Sequence, residues 1–303
     1  RMAGAGIRSQ IEDMARQFIV GADTREALKK ISGLRRDGFA AVLDVLGEAT
    51  ISPKEEDHFE RIYLELVDAL AAESAKWPAL GGDGMDWSSA PRVQVSIKPT
   101  SLCCTARALD FDRSVDAMLV RMTRLYERVV QAQGFLCIDM ESLKYKNLTL
   151  ALYRRLRADP RWRGEARLGI VLQAYLRDSE PDLDDLLAWA RAEKLPIAIR
   201  LVKGAYWDVE TVLAKQNGWP IPVWQQKAES DACFERMARR ILENSDICHL
   251  ACASHNIRSI AMVLETAKAL RVPESRYEFQ VLYGMAEPVR EALRKQVGRV
   301  RLY

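Results

Sequence analysis

The densest chemistry in the chain lies in Arg200-Leu-Val-Lys-Gly-Ala-Tyr-Trp-Asp208. A guanidinium and an ammonium can meet phosphates or an anionic ring. Glycine lets backbone approach a ligand closely, and tyrosine and tryptophan offer flat faces to a planar group. The segment continues a short apolar run, Pro196-Ile-Ala-Ile199. A bare strand that runs into such residues suits the mouth of a parallel barrel, where strand ends carry the chemistry. Seven more apolar runs end at or near a polar side chain: Glu48, Lys98, Asp139, Gln173, His255 with Asn256, Gln280 and Tyr303. One polar strand end is ordinary, whereas a ring of them is the pattern of an active site.

Each of these residues also has a simpler reading. Lys98 precedes Pro99 and suits the surface, or forms an ion pair with Asp139 facing a ligand. Asp139 and Glu141 suit the cap of a following helix, as does the pair His255-Asn256. Trp207 suits either packing or a ring contact. Glu48 is a solitary glutamate whose basic partner spacing does not reveal.

The elements that position these ends read as eight strands, at 41–46, 93–97, 135–139, 168–174, 196–201, 249–254, 278–283 and 299–303. Helical patterns fill most gaps, at 111–133, 183–193, 231–243, 257–269 and 287–296. Apolar strands alternating with amphipathic helices imply a parallel sheet covered by helices, and eight of them predict an α/β fold of the (β/α)8 barrel type. The first gap holds an insertion, a helix near 54–74 and a Trp/Gly/Pro-rich loop at 77–91. Ahead of the barrel, 7–31 reads as helices, the second capped by Asp23 or Thr24, with a turn at 33–38. The division is thus an N-terminal helical arm, 1–36, and a barrel, 37–303.

Bulk composition narrows the function. The 303 residues are 49% hydrophobic, and 45 basic against 42 acidic residues leave a net charge of +3. That balance makes no case for nucleic acid. No run of 18 apolar residues exists, and no signal-peptide pattern opens the chain, which is expected to begin inside a longer protein. Six cysteines lack metal-type spacing and read as reduced cytosolic thiols. Three histidines argue against a His-rich metal site, so no metal is expected. Gly4-Ala-Gly6 follows no strand and fails as a dinucleotide fingerprint. A Schiff-base lysine at 98 or 203 is conceivable on a barrel, but neither sits in an evidently apolar pocket.

Six motifs in order carry a resemblance: Val95-Ser-Ile-Lys-Pro-Thr-Ser-Leu102, Cys137-Ile-Asp-Met-Glu141, Leu172-Gln-Ala-Tyr175, Arg200–Asp208, Ala253-Ser-His-Asn256 and Phe279-Gln-Val-Leu-Tyr-Gly-Met285. Together they resemble the proline dehydrogenase domain of the bacterial proline utilization A (PutA) flavoenzymes. Leu46-Gly-Glu-Ala49 and Arg299-Val-Arg-Leu-Tyr303 fit its first and last strands. The resemblance implies oxidation of L-proline to Δ1-pyrroline-5-carboxylate with non-covalent FAD, and electrons passed to a membrane quinone. It further implies a cytoplasmic protein, peripheral at the inner membrane.

By matching position, Arg200 would stand near the reactive flavin nitrogen and Gln173 at the pyrimidine edge. Asp139, Met140 and Gln280 would line the cofactor site. Lys203, Gly204, Ala205, His255 and Asn256 would hold the ribityl and pyrophosphate part, with Trp207 and Trp224 packed on the cofactor. Lys98, Asp139, Tyr206, Leu282 and Tyr303 would frame the proline ring. In the family a final helix with a Tyr-x-x-Arg-Arg pattern grips the substrate carboxylate. It is missing from a sequence that stops at Tyr303, and Glu48 would gate the site by pairing with one of those arginines. An aldehyde dehydrogenase domain is expected downstream. Trp224-Gln225 stands where a Tyr/Trp–Thr pair is usual. The rival readings are a flavin barrel of the methylenetetrahydrofolate reductase type and a catalytically silent flavin-binding module.

Overall fold

The computed structural model describes residues 17–82, 85–87 and 90–303. The first part of the expected arm lies outside the described residues. The helix α1, Thr24–Arg36, starts where Asp23 accepts a hydrogen bond from Glu26 N, as the sequence predicts. It runs through the stretch that reads as a turn, and a Cβ at Gly33 would meet only the tip of Arg36, at 3.9 Å.

Nine short parallel strands follow. They are β1 (Ala40–Ala41), β2 (Leu43–Asp44), β3 (Gln94–Ile97), β4 (Phe135–Ile138), β5 (Leu168–Gln173), β6 (Ile197–Val202), β7 (Cys248–Ala253), β8 (Tyr277–Val281) and β9 (Val300–Leu302). β1 and β2 are halves of one stave, broken at Val42, whose N–H donates to Leu302 O (2.8 Å). β1 pairs with β9 and β2 with β3, so the sheet closes into a barrel of eight staves. Every residue of β3, β5 and β8 is buried, as parallel strands covered on both faces require.

The covering helices are α2 (Pro53–Ser74), α3 (Phe111–Gln131), α4 (Leu143–Ala158), α5 (Ser179–Glu193), α6 (Trp207–Asn217), α7 (Lys227–Glu243), α8 (Ile257–Ala269) and α9 (Glu287–Val297). α3 shows the usual logic: Val115, Met118, Met122, Leu125, Tyr126 and Val129 recur at helical spacing and are buried.

Two helices have no counterpart in the sequence reading, for a physical reason. α4 buries Lys146 and Arg157 within its core face, which breaks the apolar period. α6 inverts the pattern: it buries Glu210, Thr211 and Ala214 and exposes Val209, Val212 and Leu213. The first stave also ends earlier than expected, at Asp44, and Leu46 is exposed. Ahead of β3, Asp86 and Trp87 are buried against β8 and β9. All six cysteines are free.

Candidate active site

At the C-terminal ends of the strands lies a cavity of about 610 Å³, within the usual range for a small-molecule site. Fourteen residues named from the sequence line it. Lys98, Asp139, Met140, Gln173 and Arg200 come from the central staves. Lys203, Gly204, Ala205 and Tyr206 come from the loop after β6. His255, Asn256, Gln280, Leu282 and Tyr303 complete the ring. Strand ends far apart in sequence converge because each βα loop opens on the same face.

The floor of the cavity is ionic. Arg200, buried in β6, donates through Nη1 to Asp139 Oδ1 (2.8 Å) and through Nε to Gln280 Oε1 (2.7 Å). Its Nη2 has no partner among the described residues, and its guanidinium lies 4.6 Å from the centre of the Tyr303 ring. Burial works against the charge, but Cys137, Asp139 and the neighbouring groups outweigh it and hold the arginine above its ordinary pKa.

Lys98 Nζ binds Asp44 Oδ2 (2.5 Å) and stands 3.9 Å from Asp139 Oδ2. Burial pulls its pKa down and the two aspartates more than restore it, so Lys98 is a cation and no Schiff-base nucleophile. Tyr303 OH lies 2.7 Å from Asp139 Oδ2 and 3.1 Å from Asp44 Oδ2. Burial pushes Asp139 above the usual carboxylate range; Arg200 pulls it back and Asp44 adds to the rise.

Neither acid capping alternative holds. Asp139 faces Arg200, and Glu141 accepts from Thr100 N (3.1 Å) and its hydroxyl. Asn256 is both a lining residue and a cap, accepting from Ser259 N (3.2 Å) at the start of α8. His255 is neutral, its pKa lowered by burial, and its Nε2 accepts from Leu282 N (3.0 Å). Glu48 lies outside the lining and accepts from Tyr206 OH (2.7 Å). Trp207 and Trp224 also lie outside it: Trp207 Nε1 donates to Trp224 O (2.8 Å), and Arg177 packs on the Trp224 ring.

Three residues went unnoticed in the sequence, Asp44, Asp231 and Lys227. Asp44 ties Lys98 to Tyr303. Asp231, near the start of α7, binds both Lys203 and Lys227 and accepts from Asn256 Nδ2 (3.1 Å).

The donor set suits an elongated, partly planar anion. Gln173 donates its Nε2 to Met140 O (3.2 Å), while its Oε1 is buried without a partner. A buried orphan acceptor at a cavity wall is suited to a ligand N–H. Lys203, Lys227 and Asn256 gather at the N-termini of α7 and α8, where phosphate is favoured. Gly204 has φ +134°, and a Cβ there would meet the Tyr175 ring at 2.1 Å, so the turn into this edge needs glycine. Among the described residues no cluster suited to a metal occurs, and no helix is long and apolar enough to cross a membrane.

Comparison with known proteins identifies the family. The family model described as Proline dehydrogenase matches residues 27–303. The bifunctional protein PutA of Escherichia coli is 28% identical over 98% of this chain and 22% of its own length. The proline dehydrogenase of Deinococcus radiodurans is 29% identical over 98% of this chain and 85% of its own. The crystal structure of proline utilization A from Bdellovibrio bacteriovorus, inactivated by N-propargylglycine, superimposes with a TM-score of 0.94 at 39% identity, covering 100% of this chain and 32% of that one. This chain therefore spans about a fifth of the curated PutA relatives it matches and about a third of the Bdellovibrio protein.

Proposed function

The chain belongs to the proline dehydrogenase family, and from that premise we propose that it oxidises L-proline to Δ1-pyrroline-5-carboxylate with FAD, passing electrons to a membrane quinone. The observation that carries the reading is the buried cluster Arg200–Asp139–Tyr303–Lys98 at one end of a cavity whose other end gathers lysines and helix N-termini.

When bound, FAD supplies the two-electron acceptor. The chain's residues bind and orient. Gln173 Oε1 accepts from the ring edge, and Lys203, His255 and Asn256 hold the phosphates. Gly204 and Ala205 bring backbone close, and Met140 and Gln280 line the ring. Arg200 presents its free Nη2 to the ring and favours negative charge there. Trp207 and Trp224, outside the cavity, support the loop that carries Tyr206.

Lys98 meets the substrate carboxylate, and Tyr206, Leu282 and Tyr303 enclose the proline ring. Glu48 holds the Tyr206 hydroxyl. Proline must give up its ammonium proton before a hydride can leave the adjacent carbon. Asp139 lines the cavity and burial raises it above the usual carboxylate range, so it has capacity to take that proton.

The test is anaerobic. Protein loaded with FAD should bleach on addition of L-proline, and denaturation should then release the flavin, since binding is non-covalent. N-propargylglycine, the inactivator named for the Bdellovibrio protein, should inactivate this chain as well. Bound flavin that stays oxidised in excess proline would refute the proposal.

A further inference from the structure

Below Gln280 lies a buried carboxylate that the proposed reaction does not touch. Glu278 and Gln280 alternate along β8 and share one face of it, and both are buried. Glu278 Oε1 accepts from Gln280 Nε2 (2.6 Å) and Arg301 Nε (3.0 Å). Its Oε2 accepts from Trp87 Nε1 (3.1 Å) and Arg301 Nη2 (3.2 Å). Burial alone would raise its pKa, but Arg301 outweighs this and holds it below the usual value. The group is thus an ionised, acceptor-only carboxylate.

That fixes the amide above it. An ionised Glu278 has no proton to give, so the amino end of Gln280 must face it. The oxygen end is then presented to Arg200 Nε at 2.7 Å. A flipped amide would turn its amino group toward a guanidinium, donor against donor. Arg200 would be left with Asp139 alone.

The arrangement is anchored from beneath. Arg301 also donates to Asp86 Oδ2 (3.0 Å), and Asp86 Oδ1 pairs with Arg35 (2.7 Å). α1, Asp86 ahead of β3, β9 and β8 thus converge on one buried chain of alternating charges, Arg35–Asp86–Arg301–Glu278, which the Gln280 amide joins to Arg200.

We propose that Glu278 is a positioning residue for proline oxidation: it sets the Gln280 amide and, through it, the direction of the Arg200 guanidinium. The proposal rests on the flavin reading of the cavity. An ion pair that merely held Arg301 would leave Arg200 and the bound flavin indifferent to its loss.

The experiment compares the wild-type protein with E278Q, Q280L and the double variant. In the flavin-free protein, the Arg200 Nε–H should be protected from hydrogen exchange in the wild type and exposed in all three variants. In the FAD-loaded protein, E278Q should slow reduction by proline on the order of tenfold, a fraction of the loss expected when a direct electrostatic contact is removed. The flavin potential should fall with it. Q280L should do the same, and the double variant should be no more than about twofold slower than either, because residues acting as one unit are not additive. Should E278Q lose its cooperative melt, E278D replaces it, keeping the charge beside Arg301 while drawing it back from Gln280. Unchanged Arg200 exchange, an unchanged potential, or effects that multiply in the double variant would each overturn the proposal. Wild-type protein that takes up no flavin, yet shows the exchange pattern, would refute the flavin reading and leave the Glu278–Gln280–Arg200 linkage standing.

Discussion

Replacing Arg200 with methionine removes one charge from a pair that is almost sealed from water. The Arg200 and Asp139 side chains are 5% and 9% exposed and 2.8 Å apart, so solvent screens the pair little. Breaking a buried pair from one side costs about 3–5 kcal/mol, because the remaining ion stays buried. Lys98, 3.9 Å from Asp139, still offsets part of that charge, so the lower end applies, about 3 kcal/mol. Urea unfolding of the flavin-free protein reads this as a lower midpoint at unchanged slope. R200M/D139N removes both ions and should recover most of the loss, to within about 1 kcal/mol of the wild type, since the pair is coupled. The flavin potential should behave otherwise: it falls in R200M and stays low in the double variant, because the positive charge at the ring is absent from both. Stability that fails to drop in R200M would show that the pair is not the buried contact described. A potential that recovers with D139N would show that the ring responds to net charge and not to Arg200.

Two further outcomes are expected. If Tyr303 packs on the proline ring, Y303S should narrow the preference for proline over 4-hydroxyproline, mainly by losing proline; unchanged discrimination in kcat/KM would remove Tyr303 from the pocket. Glu141 is buried and pushed up to about 7 from its ordinary 4.5, burial outweighing its Thr100 hydrogen bonds. The folded state therefore holds the extra proton between those values, and the contribution to stability falls as pH rises through that window. At about 1.4 kcal/mol per unit, the stability of the wild type relative to E141Q should drop by about 3 kcal/mol between pH 4 and pH 8. A difference that stays flat in urea unfolding at the two pH values would contradict this.

The staves and most helices were legible because burial writes a period into the sequence. β5 and α3 show it directly: an apolar run, Leu168 to Leu172, that ends at Gln173, and a clean helical stripe. The period fails where tertiary contacts replace water as the partner of a charge. Lys146 is buried on α4 because Asp178 and Asp182 reach it at 2.6 and 2.7 Å. Glu210 is buried on α6 because it accepts from Leu143 N at 2.6 Å. Each looks like a solvent-facing residue until its partner is placed.

Asp44 shows the same limit at the site itself. In Leu43-Asp44-Val45-Leu46 a single acid interrupts an apolar run, and the run reads on to a polar end at Glu48. The chain instead leaves the sheet at Asp44, two residues before the expected strand end. What allows a carboxylate there is the neighbouring stave: Asp44 pairs in register with Ser96, and Lys98 lies just beyond the end of that strand. Tyr63, from the inserted helix, donates to its other oxygen (3.0 Å), and Tyr303 lies opposite. These partners stand 54, 19 and 259 residues away in sequence. A buried charge is tolerated only when its partners are in place, and register is what places them. The ring of strand-end residues could be found from types and spacing, because each marks the end of its own strand. The residue that ties two of them together could not, because its justification lies entirely on other strands.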